Sequence, residues 1–468
     1  MTPSAATLNR LAAVIGETHA IRDPREMAGY LTEWREILAG ESPLILKPGC
    51  TDEVSRILAI ASETRTAIIP QSGNTGLAGG HLPLPGKPLV IVNLDRMTRV
   101  REISAADNTL SVDAGVTLKA AQDAAESVDR LFPLSLASEG SCRIGGNLST
   151  NAGGLNVVAY GNARDLCLGL EVVLADGRVW NGMRKLRKDN TGYDLKNLFI
   201  GAEGTLGIIT GAVLKLFPRP AGQATAFIAV PNVQAAVDLL ALARAASDGR
   251  VTSIELLPRN GFAFVLKHFP ARDPFAMPSP WYVLLELSGA GDLGALMEAS
   301  LANAVARGIA TDAVIAQSEA QRREIWAIRE YIVETQKKEG GSIKHDVAVP
   351  VSALPAFVDE ALAAIARYMP DARPMPYGHV GDGNLHFNVS QPEGMDKAAF
   401  HACWHQMNEV VFEIVLKHGG SISAEHGIGQ TKTGHMSEIK GAVELDLMRS
   451  VKAMLDPFGI LNPGKVLP

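Results

Sequence analysis

The sequence predicts an α+β protein of two or three domains, and three observations support this. The chain has 468 residues, which is more than one ordinary hydrophobic core accommodates. Its first half carries three glycine-rich loops beside predicted strands, at residues 70–80, 138–154 and 201–207. After Pro218-Arg219-Pro220 the pattern changes to strands alternating with helices, which is typical of an antiparallel sheet packed against helices.

Composition excludes several classes of protein. Lys and Arg number 44 and Asp and Glu 50, so the net charge is −6, which argues against a nucleic-acid partner, since such a partner requires a basic stripe. The four cysteines lack metal-ligand spacing and are too few for a disulfide framework, which favours a reducing compartment. No stretch approaches the roughly 20 apolar residues of a membrane span, and no signal peptide is recognisable. We therefore expect a cytoplasmic protein.

Local patterns predict most elements of the first half. Apolar Leu8, Leu11, Ala12 and Ile15 recur at helical spacing and predict a helical segment over residues 1–40. Thr51 is the expected N-cap of a helix that runs to residue 61. Strands are predicted at residues 44–46, 67–69, 89–92, 109–112, 170–174, 178–180 and 208–217, the fifth and sixth of them forming a hairpin.

The second half has longer predicted elements. Strands are expected at residues 224–230, 253–257 and 281–287. Helices are expected at residues 233–245, 293–307, 321–329 and 397–418.

The three glycine loops indicate a nucleotide-binding domain of an unusual kind. None has the Gly-x-Gly-x-x-Gly pattern of a Rossmann unit or the Gly-Lys-Ser/Thr of a P-loop. Each carries Asn, Ser or Thr among its glycines, so that many backbone N–H groups are available to a pyrophosphate. Turn formation explains a single cluster of glycines equally well. Three clusters in one domain favour a dinucleotide that lies extended across it.

A histidine-rich segment, residues 377–388, predicts a metal site. If Asp382-Gly383 is a two-residue hairpin turn, His379 and His386 are cross-strand partners with Cβ atoms about 4.5–5.5 Å apart, which suits two imidazoles on one ion. Glu425 and His426 follow in a glycine-bounded loop and offer a carboxylate ligand and a second imidazole for proton transfer. The alternative is two structural histidines in a tight turn.

These motifs resemble the flavin-dependent D-2-hydroxyacid dehydrogenases of the vanillyl-alcohol-oxidase (PCMH) type, above all those that act on D-2-hydroxyglutarate. The resemblance runs nearly end to end, and its most specific segments are residues 71–80, 138–154, 201–207, 377–388, 424–429 and 462–465. It implies an α+β fold with a two-part FAD-binding domain at residues 1–220. A ferredoxin-like cap would follow at residues 221–400, and then a C-terminal helical segment at 401–468 whose tail returns to the FAD domain.

The resemblance implies that FAD is bound non-covalently. His81 follows the first loop, but no histidine lies in the loop where some relatives tether the flavin. The expected FAD contacts are Pro70, Ser72, Gly73, Asn74, Thr75, Gly76, Gly79, Gly80, Ser138, Glu139, Gly140, Gly145, Gly146, Asn147, Thr150, Asn151, Gly153, Glu203, Gly204, Ile209 and Asn462.

The resemblance also implies the roles of the polar residues of the second half. His379, His386 and Glu425 are the expected ligands of a divalent metal, for which zinc is our expectation, and His426 is the expected general base. Arg329 and Lys344 are expected to bind substrate carboxylates, although a helix surface and a strand end would by themselves explain the two cations. Asn388 is expected to join them for a different reason: it lies two residues past His386 on an extended chain and so faces the same side.

The expected reaction is oxidation of D-2-hydroxyglutarate to 2-oxoglutarate by a homodimer, with electrons passing to an acceptor such as electron-transfer flavoprotein or a quinone. Val333 stands where some such dehydrogenases have a threonine, which leaves D-lactate, D-malate and glycolate open as substrates. A zinc hydrolase would leave the glycine loops unexplained. A non-catalytic flavin-binding subunit would leave the metal ligands and base unexplained.

Overall fold

The computed structural model describes residues 3–468 and divides the chain into two compact units. Unit 1 comprises the described residues up to Gly154 together with Gly161–Arg219 and Glu425–Pro468. Unit 2 comprises Leu155–Tyr160 and Pro220–Ala424. The main segment of the second unit thus begins at the proline-rich segment and continues past residue 400, where a further boundary was expected.

Helices and strands alternate along most of the chain. The helices are α1 Ala5–Ile15, α2 Pro24–Leu31, α3 Thr51–Thr64, α4 Leu118–Glu126, α5 Ile144–Ser149, α6 Val157–Tyr160, α7 Lys196–Phe199, α8 Val233–Ala246, α9 Arg259–His268, α10 Leu293–Ala306, α11 Glu319–Lys338, α12 Leu354–Tyr368, α13 Lys397–Ala402, α14 Trp404–Lys417, α15 Met436–Ile439 and α16 Ala442–Leu455. The strands are β1 Ala20–Ile21, β2 Ile45–Leu46, β3 Ile68–Gln71, β4 Val90–Asn93, β5 Val100–Ser104, β6 Thr109–Asp113, β7 Arg130–Leu131, β8 Cys167–Val173, β9 Val179–Gly182, β10 Ile208–Lys215, β11 Phe217–Pro218, β12 Gly222–Val230, β13 Val251–Pro258, β14 Trp281–Gly289, β15 Asp312–Ile315, β16 Ser342–Ile343, β17 Asp346–Ala348, β18 Arg373–His379 and β19 Asn384–Ser390. None of the helices in residues 3–468 combines the length and apolar character that a membrane crossing requires.

Unit 1 contains two main sheets. Strands β1-β2-β4-β3 form the first, in which β4 is parallel to both β2 and β3. Strands β5-β6-β10-β8-β9 form the second, which is antiparallel and includes the predicted β8–β9 hairpin. The C-terminal tail joins the first sheet, since Leu461 forms a parallel bridge with Ile68. The first glycine loop starts at the end of β3, and the third precedes β10.

Two local expectations for unit 1 are wrong. The helix over residues 1–40 is interrupted, because Gly16 has a φ of 81° and caps α1, and a short strand separates α1 from α2. Thr51 is the first residue of α3 and not its N-cap, which is Cys50. The Thr51 hydroxyl donates instead to the carboxylate of Glu171 on β8, at 2.6 Å. A tertiary hydrogen bond to a carboxylate replaces the local cap.

Unit 2 is built on one antiparallel sheet. Its strand order is β15-β12-β14-β13-β18-β19-β16, with β17 also paired to β19. The helices pack on it through apolar side chains. Ile325, Ile328 and Ile332 of α11 belong to a buried cluster in which the rings of Phe227 and Tyr282 stack 5.3 Å apart. The predicted helix at 397–418 is two helices, α13 and α14, with a break at Cys403.

The hairpin that carries the two histidines has a different register from the predicted one. His379 pairs with Asn384, and His386 pairs with Tyr377, so the turn has four residues rather than two. Hydrogen bonds to other strands explain the longer turn. The Val380 N–H donates to the Ile254 carbonyl at 3.0 Å, and the Gly383 carbonyl accepts from Val349 N–H at 3.1 Å. The register differs by two residues, which returns each side chain to the same face of the sheet.

Candidate active site

Residues of all three glycine loops line one cleft in unit 1. Its empty volume, counted together with the open solvent at its mouth, is about 840 Å³. The first and second loops line it, together with the third loop and the start of β10. His426 also lines this cleft, so the expected base lies among the expected flavin contacts.

The walls of the cleft carry polar atoms that the protein itself does not satisfy. Among the residues of the described chain, 3–468, buried atoms without a hydrogen-bond partner include Ser72 Oγ, His81 Nε2 and Asn147 Nδ2. All three residues line the cleft. A buried polar atom without a partner costs about 1–3 kcal/mol, so such atoms in one cleft indicate a polar ligand. The donor and acceptor set fits the phosphates and ring edges of FAD.

The cleft brings together most of the expected FAD contacts but not all of them. Those that line it are Pro70, Ser72, Gly73, Asn74, Thr75, Gly76, Gly80, Gly145, Gly146, Asn147, Thr150, Glu203, Gly204 and Ile209. Those that do not are Gly79, Ser138, Glu139, Gly140, Asn151, Gly153 and Asn462. Lining residues that the sequence analysis did not assign are Gln71, Ala78, His81, Leu94, Arg143, Ser149, Gly207 and Ile208. All of these except Leu94 lie within or directly beside the three loops, so their position in the sequence next to the assigned residues could have identified them.

The loop that carries His426 is held by Glu203. The Glu203 carboxylate accepts from Ile428 N–H at 2.7 Å and from Gly429 N–H at 2.9 Å. Burial raises the pKa of Glu203, and these two hydrogen bonds oppose that rise. Glu203 was expected only as a flavin contact. In the structure its carboxylate also fixes the backbone directly after the expected base.

Two further buried groups shape the electrostatics of unit 1. Burial lowers the pKa of His81 to about 4; the charge of Glu33 opposes this shift, and the charge of Lys465 adds a smaller lowering. Burial also lowers the pKa of Lys465 itself to about 8, and the nearby Glu203 opposes that shift. The imidazole of His81 is therefore neutral at pH 7.

In unit 2, the hairpin β18–β19 presents two histidines on one face. The rings of His379 and His386 have centroids 5.7 Å apart, and one ring nitrogen of each lies within 4.8 Å of the other. Both side chains are largely buried, with 7% and 16% of their surface exposed. This pair therefore has the spacing of two ligands of one cation.

The residue before Glu425 forms a hydrogen bond with a strand that is paired with this hairpin. The Ala424 N–H donates to the Asp346 carbonyl at 3.3 Å, and Asp346 is the cross-strand partner of His386. Glu425 is the next residue after Ala424. Within unit 1 its carboxylate accepts from the Gly154 N–H at 2.5 Å.

The buried carboxylate of Glu255 contacts His379 and Arg329. Its Oε1 lies 2.6 Å from His379 Nδ1, and its Oε2 accepts from Arg329 Nε at 2.7 Å. Burial by itself would raise the pKa of Glu255, but the charges and hydrogen bonds of His379 and Arg329 lower it to about 2. Glu255 is not among the site residues expected from the sequence. An acidic residue inside a predicted strand, directly flanked by apolar residues, is the signal that points to it.

The expected substrate residues lie on the same sheet or on α11. Arg329 is 6% exposed, and its guanidinium lies 4.9 Å from the centre of the Tyr377 ring. Asn388 is 2% exposed and donates to Gln336 Oε1 at 3.0 Å. Lys344 is half-buried between β16 and β17. Val333 packs against the aromatic cluster of unit 2, one helical turn after Arg329.

The fold and the cleft define the chain as a flavoprotein. A family profile described as "FAD linked oxidases, C-terminal domain" matches residues 219–466, and one described as "FAD binding domain" matches residues 42–182. The chain belongs to the FAD-linked oxidase family.

Its relatives and structural neighbours agree with this assignment. The chain is 38% identical to "D-2-hydroxyglutarate dehydrogenase, mitochondrial" of Arabidopsis thaliana, over 97% of this chain and 80% of that protein. It is 34% identical to D-2-hydroxyglutarate dehydrogenase of Stutzerimonas stutzeri, over 98% of both chains. The solved structure of p-cresol methylhydroxylase with substrate bound aligns with a TM-score of 0.78 at 16% identity, over 98% of this chain and 96% of that chain. At that identity the likeness concerns the fold alone and confirms the expected PCMH-type architecture.

Proposed function

We propose that this FAD-dependent dehydrogenase oxidises D-2-hydroxyglutarate to 2-oxoglutarate. The observation that carries the proposal is the position of His426 in the cleft formed by the FAD-binding loops. The full-length relatives named as D-2-hydroxyglutarate dehydrogenases support the choice of substrate. We propose an electron-transfer flavoprotein or a quinone as the acceptor, and a homodimer as the assembly.

FAD fits the cleft through the unsatisfied side chains of its walls. Ser72 and Asn147 would hold the cofactor, and His81 offers a neutral imidazole beside it. One of the expected contacts outside the cleft, Asn462, supports two of the loops. Asn462 does so by donating to the carbonyls of Gly80 and Glu203, at 2.9 and 2.6 Å. When bound, the flavin supplies the acceptor for the hydride that leaves C2 of the substrate.

A divalent cation, zinc by preference, would be held by His379, His386 and Glu425. The spacing of the two imidazoles on the hairpin supports this proposal. Two imidazoles and a carboxylate form a donor set that suits zinc in catalytic sites. A bound cation would lower the pKa of the substrate hydroxyl.

His426 has the role of general base in this proposal. Oxidation of a 2-hydroxy acid removes the hydroxyl proton and the C2 hydride, and a neutral imidazole accepts the proton near pH 7. Glu203 keeps the backbone that follows His426 in place. Arg329 and Lys344 would bind substrate carboxylates, and Asn388 would add a hydrogen bond.

A smaller substrate is the second candidate. Val333 presents no hydroxyl one turn after Arg329, whereas the resemblance implies a threonine for recognition of the distal carboxylate. D-lactate, D-malate and glycolate are therefore tested beside D-2-hydroxyglutarate.

The deciding experiment is an anaerobic visible spectrum of the purified protein before and after addition of each acid. We expect oxidised flavin bands that D-2-hydroxyglutarate bleaches at lower concentration than D-lactate, D-malate or glycolate. Bleaching only by a smaller acid would refute D-2-hydroxyglutarate as the substrate. Bleaching by none of the acids would refute the proposed dehydrogenase activity.

The His426→Asn variant isolates the proton-transfer step. General bases contribute about 10²–10⁴-fold, so bleaching should slow by that factor while the flavin stays bound. His435→Asn is the matched control, since His435 lies in the C-terminal segment of unit 1 but does not line the cleft. Unchanged bleaching in His426→Asn would end the assignment of the base.

A further inference from the structure

We infer that Glu255 is a positioning residue that orients both a metal-ligand histidine and the substrate-binding arginine. The inference rests on the proposed function, because it concerns how His379 and Arg329 are held for their proposed roles. Nothing in the sequence motifs or in the relatives' names assigns this glutamate a role.

The position of Glu255 in the sheet is unusual for a carboxylate. It lies at the centre of β13, where every residue of the strand is buried, and it is itself 1% exposed. It is the direct cross-strand partner of His379 on β18. A carboxylate buried this deeply is stable only when charged or hydrogen-bonding partners compensate its desolvation.

Each carboxylate oxygen has a different partner. Oε1 meets His379 Nδ1 at 2.6 Å, and Oε2 accepts from Arg329 Nε at 2.7 Å. An ionised carboxylate only accepts hydrogen bonds, so Nδ1 of His379 carries a proton. Nε2 is then the nitrogen that can bind a cation, which it does in the neutral form of the ring. Hydrogen bonds of this type fix the tautomer and the ring orientation of metal-binding histidines.

The same carboxylate sets the orientation of Arg329. Because Nε donates to Glu255, the two terminal nitrogens of the guanidinium are those directed to a substrate carboxylate. The Tyr377 ring, 4.9 Å from the guanidinium carbon, supports the plane of the group. One side chain therefore couples the geometry of the cation site to that of the substrate site.

A second buried glutamate provides a matched control. Glu286 on β14 is 4% exposed and accepts from Arg322 Nε at 2.9 Å and from Trp326 Nε1 at 2.8 Å. It therefore also ties α11 to the sheet through an arginine. The hydrogen bonds of Glu286 do not involve His379 or Arg329, so Glu286→Gln reproduces the loss of a buried carboxylate without disturbing either group.

The test is a Co²⁺ titration of chelator-treated protein, followed by the visible absorption of the bound ion. We expect Glu255→Gln to bind Co²⁺ about 10–100-fold more weakly than the unchanged protein, as losses of such supporting hydrogen bonds typically do. Glu286→Gln should bind it with unchanged affinity. In a parallel anaerobic titration, Glu255→Gln should also need a higher concentration of D-2-hydroxyglutarate for half-bleaching.

The outcomes separate this inference from the proposed function. Equal Co²⁺ affinity in Glu255→Gln and the unchanged protein overturns the role of Glu255 and leaves the proposed function intact. Equal weakening in Glu286→Gln also overturns it, because the loss would then reflect the docking of α11. An unchanged protein that takes up no Co²⁺ overturns both the cation site and this inference.

A second variant covers the case in which Glu255→Gln does not fold. Glu255→Asp keeps the charge but is shorter by one methylene, so it cannot reach both partners at hydrogen-bond distance. We expect it to bind Co²⁺ at least several-fold more weakly than the unchanged protein, and equal affinity would overturn the inference.

Discussion

The tight contact between the third glycine loop and Pro70 gives a quantitative prediction about the flavin cleft. Gly204 has a φ of 72°, and a Cβ atom at this position would lie 2.3 Å from Pro70 Cγ. Both residues line the cleft. In Gly204→Ala the neighbours must separate by about 0.7 Å to reach the 3.0 Å below which Cβ contacts are essentially not seen.

The expected cost has two parts. An alanine in the left-handed region costs about 1–2 kcal/mol. Forcing an extra methyl group against a closed proline ring costs about 1–3 kcal/mol more. We therefore expect Gly204→Ala to lower the free energy of unfolding of unit 1 by about 2–5 kcal/mol. The displaced Pro70 should also weaken FAD binding by about tenfold or more.

Gly86→Ala is the control for the backbone cost alone. Gly86 has a φ of 68°, and a Cβ atom there would have no neighbour within 4 Å. It should lose only about 1–2 kcal/mol and keep its FAD affinity. The assay is thermal unfolding of both apoproteins by circular dichroism, where about 2–4 °C corresponds to 1 kcal/mol in a unit of this size, together with FAD titration by fluorescence. Equal losses in the two variants would refute the steric part of the reasoning.

Three further predictions concern the cofactor, the pH dependence and the cation. Ser72→Ala should lower FAD affinity by about tenfold while leaving the stability of the apoprotein unchanged or higher, since the Ser72 hydroxyl is buried without a partner among the described residues; fluorescence titration and thermal unfolding measure the two effects. Because burial lowers the pKa of His81 from 6.5 to about 4, the unfolded chain binds the proton first, and stability should fall as the pH drops from 6.5 to 4. In urea unfolding of the apoprotein, the free energy of unfolding of His81→Gln should fall by up to about 3 kcal/mol less over this pH range than that of the unchanged protein. The same pH dependence in both proteins would contradict the lowered pKa of His81. Chelator treatment should abolish bleaching by substrate without removing the flavin spectrum, and Zn²⁺ or Co²⁺ should restore bleaching; full bleaching of metal-depleted protein would contradict the proposed cation.

Much of the local structure follows from the sequence, because local patterns are set by near neighbours. Apolar spacing predicts both ends of helices such as α8 and α10 to within one residue, because burial of one face stabilises these helices. The common face of His379 and His386 was also predictable. Side chains alternate with a period of two, so a register shift of two residues leaves the face unchanged.

Only the tertiary structure shows the features that depend on contacts between residues far apart in the sequence. The hairpin turn has four residues because Val380 and Gly383 form hydrogen bonds with other segments of unit 2. Thr51 does not cap its helix as expected, and its hydroxyl instead donates to Glu171, 120 residues away. Glu255 meets Arg329 and His379 across separations of 74 and 124 residues. Sequence alone shows a carboxylate within a predicted strand but does not show its partners. They depend on which strands are neighbours in the sheet, and that order is set by packing of the whole unit.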